Sequence, residues 1–341
     1  MNYRILFFLV FIVFFSLEIS ATTRIGIISD RRWCGEREVG WRIKIAAESL
    51  GWEAFLDEER GEYLNDIEGL DWVICLLPQE RYNNRTCPKY QTIFHPFGFL
   101  DETGQLVKKY EECDGYLLTV KKPYSFETAF RSINKELFFI PFYPTVQKIE
   151  YKKSVLKNLM TMIPVWSERV TDTKYKTLYN LLSQSGFTRF YGIFKNKDMI
   201  SKGFMGKIPF DGISVVKVLQ RHGIVLIIHS DIHNQENIPS SRIFEATAAS
   251  AVVISDQNAF VKKHFGDSVF YIDTSLSAEE IYQQIEGYMN QIRLNPEKAL
   301  EMAANAHQIY EDNFLMTDQL IRLNAMNQEV IKKNDCSFEK L

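Results

Sequence analysis

The stretch Ile238 to Asp256, IPSSRIFEATAASAVVISD, gathers residue types able to hold an anion and a sugar. Pro239 with Ser240 and Ser241 marks a helix entry, where unpaired backbone N–H groups and the helix dipole suit a phosphate. Arg242 adds a fork-shaped donor for the same anion. Glu245 stands one turn into the helix, where a carboxylate accepts two hydroxyls of a ribose. Ala246, Ala248 and Ala249 are small and let the helix lie close to the next strand, AVVISD. The same residues also fit an N-capped amphipathic helix whose Glu245 simply favours the first turn. On the residues alone both readings stand.

Upstream, His229-Ser230-Asp231-Ile232-His233 spaces two histidines by four, which on a helix would aim both at one zinc ion. Here His229 closes an apolar strand, so the pair does not converge in that way, and polar groups at a strand's carboxyl end line a ligand cleft instead. Arg169 and Lys174 lie five apart after another apolar run; by themselves they read as a loop charge and a helix-start lysine. His95, in FHPFG, ends a strand of the amino-terminal half and serves either a core or a cleft. Other chemistries lack their motifs. After the first strand Arg31, Arg32 and Trp33 stand where a dinucleotide site needs G-x-G-x-x-G. Neither a P-loop nor a G-x-S-x-G elbow occurs, nor does a D-x-D triplet.

The elements that must position these residues alternate. RIGIIS (24–29), EAFL (53–56), DWVICLLP (71–78), QTIFHPFG (91–98) and DGYLLTV (114–120) read as strands, with a helix over 39–50. FFIPFYPTV (138–146) reads as a crossover linker because of its two prolines. A second series follows, with strands at 156–163, 189–194, 223–230, 251–256 and 269–273. Helices are expected at 174–186, 211–223 and 241–250, and a helical tail from Ala278 to Lys333 broken by Pro296. Strands alternating with helices predict parallel sheets covered on both faces, and two series predict two doubly wound Rossmann-like domains facing a cleft. The boundaries expected are 22–150 and 151–333.

The 341 residues carry 40 Lys+Arg against 43 Asp+Glu, a formal charge of −3, with no basic cluster. Nucleic acid is therefore excluded as an expected partner, since backbone binding needs clustered positive charge. Ile5 to Leu17, ILFFLVFIVFFSL, follows Arg4 and precedes the small residues Ser20 and Ala21. As a helix it reaches only about 20 Å, too short for a bilayer core, so residues 1–21 are expected to be a secretory signal peptide or an amino-terminal anchor. Export or membrane association through residues 5–17 follows as the expectation. The five cysteines share no C-x-x-C spacing, which excludes a disulfide-dense scaffold.

S-R-x-F-E-A-x-A followed by a strand ending in Asp resembles group 1 glycosyltransferases of the GT-B fold, and looks closest to their spore-maturation-like branch. FDG (210–212), HGIVLIIHS (222–230) and FGDSVFYID (265–273) extend the resemblance over roughly 155–320. It implies a hexosyltransferase-like enzyme taking a nucleotide-sugar donor, with a glycan, lipid or protein acceptor. Glu245 would grip the donor ribose, Ser241 and Arg242 would lie by the diphosphate, and Arg169 and Lys174 would be the basic pair that holds it. Asn237, eight before Glu245, stands where many relatives carry a first acidic residue, and either it or Glu236 beside it would contact the sugar. His229 joins this donor set, and His95 would orient donor or acceptor. The loop after residue 163, IPVWSER, lacks the glycine that lets a backbone approach phosphates. Catalysis would need no metal and no cofactor beyond the substrate. In a retaining reaction the leaving phosphate takes the acceptor proton, so no protein base is required. A non-catalytic nucleotide- or sugar-binding protein on the same scaffold, or a nucleotide-sugar epimerase, is the alternative.

Overall fold

In a computed structural model the chain is described over residues 22–32, 34–77, 81–83, 86–94, 112–119, 138–193 and 199–338. The expected leader or anchor, residues 1–21, and His95 lie outside these residues.

The apolar runs of the first half form β1 (Arg24–Ile28), β2 (Glu53–Asp57), β3 (Trp72–Cys75), β4 (Lys89–Ile93), β5 (Gly115–Leu118) and β6 (Phe138–Pro141). They pair in the order β2-β1-β3-β4-β5-β6, every pair parallel. The linker expected at 138–146 is thus partly wrong: Phe138–Pro141 is the outermost strand. An edge strand tolerates Pro141 because one side of its ladder stays unpaired.

The second half builds β7 (Asn158–Met162), β8 (Thr188–Tyr191), β9 (Phe204–Gly206), β10 (Gly223–Ile227), β11 (Val252–Asp256) and β12 (Phe270–Ile272). Their order is β12-β11-β10-β7-β8-β9, again all parallel. Numbered within the half, this is the doubly wound order 6-5-4-1-2-3, whose topological switch point lies between β7 and β10. β10, GIVLI, is buried along its whole length, as the central strand of a sheet covered on both faces must be. It ends at Ile227, so His229 lies just past the strand rather than closing it.

The helices that matter for the site are α1 (Cys34–Ser49), α2 (Glu168–Thr171), α3 (Thr173–Gln184), α4 (Ser214–His222), α5 (Asp231–Gln235) and α6 (Ser241–Ala248). Gly223 joins α4 to β10 at φ +77°, and a Cβ there would meet the Val155 carbonyl oxygen at 2.1 Å. Only glycine makes that turn. After α7 (Ala259–Phe265) come α8 (Ala278–Leu294), α9 (Pro296–Asn313) and α10 (Met316–Phe338). Ser277 and Glu280 form a capping box at the start of α8, and Pro296 opens α9.

The chain crosses back between α9 and α10. Tyr310 belongs to the second core, with its hydroxyl donating to the Val146 carbonyl at 2.5 Å. Met316, Leu320 and Leu323 pack instead with Ile25, Trp72 and Tyr90 in the first core. Asn324 and Asn327 accept from Trp72 Nε1 at 3.0 Å and from the Tyr90 hydroxyl at 2.9 Å. Among the described residues no helix is long and apolar enough to cross a membrane.

Candidate active site

A cavity of about 210 Å³ opens at the β7/β10 switch point. Met160 to Ile163 and Val225 to Ile228 form its floor, and Trp166, Arg169 and His233 one wall. Pro239 to Arg242 supply the start of α6, while Gly35, Glu36 and Val39 of α1 close it from the first half. The crevice beyond the carboxyl ends at a switch point is where doubly wound sheets bind ligands.

Arg169 is held rather than loose. Its Nη1 donates to the Ile228 carbonyl at 2.7 Å and its Nε to Ser167 Oγ at 3.1 Å, with the guanidinium 5.3 Å from the Trp166 ring centroid. Ser167 caps α2 at φ 75°, ψ −177°, a region occupied almost only by glycine. The glycine missing from IPVWSER is therefore replaced in conformation by a serine, whose hydroxyl fixes Arg169. Lys174 does not line the cavity: its Nζ donates to the Thr274 carbonyl at 2.9 Å and lies 5.1 Å from the Tyr175 ring. Asn237 is exposed in a left-handed turn at φ 56°, also away from the cavity.

The start of α6 is built as expected of a cap, with Ser240 Oγ accepting from the Arg242 amide at 3.3 Å. Ser241 and Arg242 face the cavity. Glu245 does not, and its surroundings were not legible in the chain. Its side chain is 0% exposed, as is that of Arg42 on α1, whose Nη2 donates to Glu245 Oε1 at 2.6 Å. Arg242 Nη1 reaches both Glu245 oxygens, at 2.8 and 2.6 Å. Arg42 also meets Glu38 Oε1 at 2.9 Å, and Glu38 Oε2 accepts from the Gly212 amide at 3.1 Å. Burial pushes the Glu245 carboxyl up, but Arg242 and Arg42 outweigh it and hold the pKa at about 2. A four-membered charge chain thus joins α1 of the first half to α6 of the second. The i,i+4 spacing of Glu38 and Arg42 hinted at a helix pair; the partner 203 residues on was hidden.

His229 and Asp256 form a second buried pair. His229 Nδ1 and Asp256 Oδ1 are 2.6 Å apart, and the His229 amide donates to Asp256 Oδ2 at 2.8 Å. Burial alone would raise the Asp256 pKa, but His229 and Asn234 bring it below its usual value. His229 Nε2 is buried without a hydrogen-bond partner among the described residues. The ring centroids of His229 and His233 are 6.3 Å apart at 89°, and no group of three metal-ligating side chains occurs among the described residues.

Residues 195–323 match a family model described as glycosyl transferase-like. No curated protein matches the chain in sequence. The structure of T4 phage BGT in complex with UDP-glucose superposes with a TM-score of 0.54 at 16% identity, covering 92% of this chain and 98% of that one. Sucrose-phosphate synthase from Thermosynechococcus elongatus gives 0.54 at 10% identity, over 91% of this chain and 100% of that one. With its two parallel sheets covered by helices and a cavity at the second switch point, the chain has the GT-B fold of glycosyltransferases.

Proposed function

We propose that the protein is a glycosyltransferase that takes a nucleotide sugar as donor in the cavity at the β7/β10 switch point. The observation that carries this is the convergence of Arg169, Arg242 and the start of α6 on one small cavity. Arg169 and Arg242 would neutralise the charge that develops on the departing diphosphate, and the Ser241 region would supply amide donors. That stabilisation needs no metal. The bound UDP-glucose of T4 phage BGT supports the donor class, and UDP-glucose is accordingly the first donor to test. The likeness to the spore-maturation-like branch narrows the proposal further without naming an acceptor.

Two assignments change in form. Glu245 meets a ribose only after Arg242 lets go of at least one of its oxygens, so donor binding would exchange an internal ion pair for hydroxyl contacts. Lys174 acts at a distance from the cavity, by tying α3 to the turn at Thr274. These two engaged side chains favour, as a second reading, a binding protein that kept the fold.

The test is a melting-temperature series on residues 22–341 with UDP, GDP, ADP and dTDP, for the native chain and for Arg169→Ala. Binding to the folded form alone raises the transition by linkage. A shift with one nucleotide, lost in the variant, is the expected result; no shift with any of the four in folded protein overturns the donor site.

A further inference from the structure

All strands of the second sheet run parallel, so their amino ends share one end of that half, opposite the cavity at their carboxyl ends. That end is basic. Lys152, Lys153 and Lys157 precede β7, Arg189 is the second residue of β8, Lys202 precedes β9, and Arg221 lies in the last turn of α4 ahead of β10. Asp267, before β12, is the one carboxylate among residues 152–157, 185–189, 199–203, 220–223, 249–251 and 266–269, which lead into these strands. The turn from α8 to α9 adds Arg293 and Glu297, and Glu297 is paired with Lys153 at 3.2 Å. Short contacts knit the segments into one surface. The Lys157 amide donates to the His222 carbonyl at 3.0 Å, and the Lys152 amide to Ser250 Oγ at 3.4 Å. The Leu159 amide donates to the Phe187 carbonyl at 3.0 Å, and the Arg293 guanidinium lies 5.6 Å from the Phe187 ring centroid. Burial lowers the His222 pKa, and the charges of Arg189, Lys157 and Arg221 around it lower it further. Lys152, Lys157, Lys202 and Arg221 are exposed, and none of them makes an ion pair among the described residues.

The same end carries the two most exposed large apolar side chains among the described residues, Leu294 at 79% and Val155 at 65%. Cations alone would suit any polyanion. A bare leucine and valine among them suit a bilayer surface, where headgroup phosphates meet the cations and apolar tips pass between the headgroups. The whole chain has a formal charge of −3, so the positive sign belongs to this face and not to the molecule. We propose that the amino-end face of the second sheet docks on an anionic lipid surface, with Lys152, Lys157, Lys202 and Arg221 against headgroups and Leu294 and Val155 inserted between them. Docked in this way, the sheet stands with its carboxyl ends outward, and the cavity opens on the aqueous side. The face is separate from the donor site and from residues 5–17.

The test is flotation of residues 22–341 with phosphatidylcholine vesicles, with and without phosphatidylglycerol, at low and at physiological salt. The first core begins at Ile25 and the second at Val146, so this chain carries both, and it removes the apolar run Ile5–Leu17 as a competing lipid contact. The account predicts flotation only with phosphatidylglycerol, weakening as salt screens the surface charge. Lys157→Gln with Arg221→Gln should lower the partition coefficient about 25-fold, roughly fivefold for each cation. Arg31→Gln with Arg81→Gln removes the same charge from exposed sites of the first half and should leave it unchanged. Leu294→Ser should weaken the binding that survives at physiological salt. Melting curves confirm that each variant is folded. No flotation of the folded native chain, equal flotation without phosphatidylglycerol, an equal loss in the Arg31 and Arg81 variant, or retention of duplex DNA in place of vesicles overturns the lipid face. Nucleotide melting shifts report the donor site separately, and its failure leaves flotation intact. A nucleotide shift abolished by bound vesicles overturns the outward orientation of the cavity.

Discussion

Glu245 is the residue on which local chemistry and global assembly meet. Fully buried, it is stable as an anion because Arg42 and Arg242 both face it. Removing Arg42 leaves Glu245 and Glu38 without that charge in a dry site, a change that costs about 3–5 kcal/mol. Arg42→Met is therefore expected to lower the urea midpoint strongly, whereas Arg37→Met, whose Glu58 partner is partly exposed, changes the unfolding free energy by about 1 kcal/mol or less. Because the Glu245 pKa sits at about 2 in the folded chain against an ordinary 4.5, its contribution is complete above pH 4.5 and fades as pH falls toward 2. Melting temperature measured down this range should drop in the native chain, with the share due to Glu245 missing from Glu245→Gln. Ser167 offers a second residue-scale test. Its backbone sits where a side chain is strained by about 1–3 kcal/mol. Ser167→Ala keeps the strain and loses the hydroxyl, so it should melt below Ser167→Gly, and both should weaken nucleotide binding by loosening Arg169.

At the scale of elements, α10 is the piece whose position decides whether the halves hold together. Met316, Leu320 and Leu323 leave the second half and bury themselves in the first core. Leu320→Ala should cost about 2–5 kcal/mol by cavity formation, read by urea unfolding of the whole chain. The strands of both sheets could be read from their apolar runs, because a buried parallel strand writes itself as Val, Ile and Leu. Two strands escaped. Phe138–Pro141 looked like a linker because proline at an edge and proline in a linker are alike in sequence. Phe204–Gly206, three residues at the opposite edge of its sheet, has too short a pattern to stand out. The α6 entry was legible because a cap is local. The pairings of Glu245 with Arg42, Arg169 with Ile228, and Lys174 with Thr274 were not, since each joins residues far apart in the chain.

For the whole molecule, two parallel sheets are joined by a buried charge chain on one side of the cavity and by α10 on the first core. A nucleotide sugar entering the cavity, as proposed, would meet Arg169 and Arg242 from the second half and α1 from the first, so binding would draw on both halves. The DNA-modifying β-glucosyltransferase that shares this fold acts on a polyanion. Here the formal charge is −3 with no basic run, so duplex DNA should not be retained in a mobility-shift assay at physiological salt.

The most direct measurement is a crystal structure with the nucleoside diphosphate that raises the melting temperature. The account predicts its diphosphate within hydrogen-bond distance of Arg169, Arg242 and the start of α6. A nucleotide lodged elsewhere on the molecule, with this cavity empty, would contradict it.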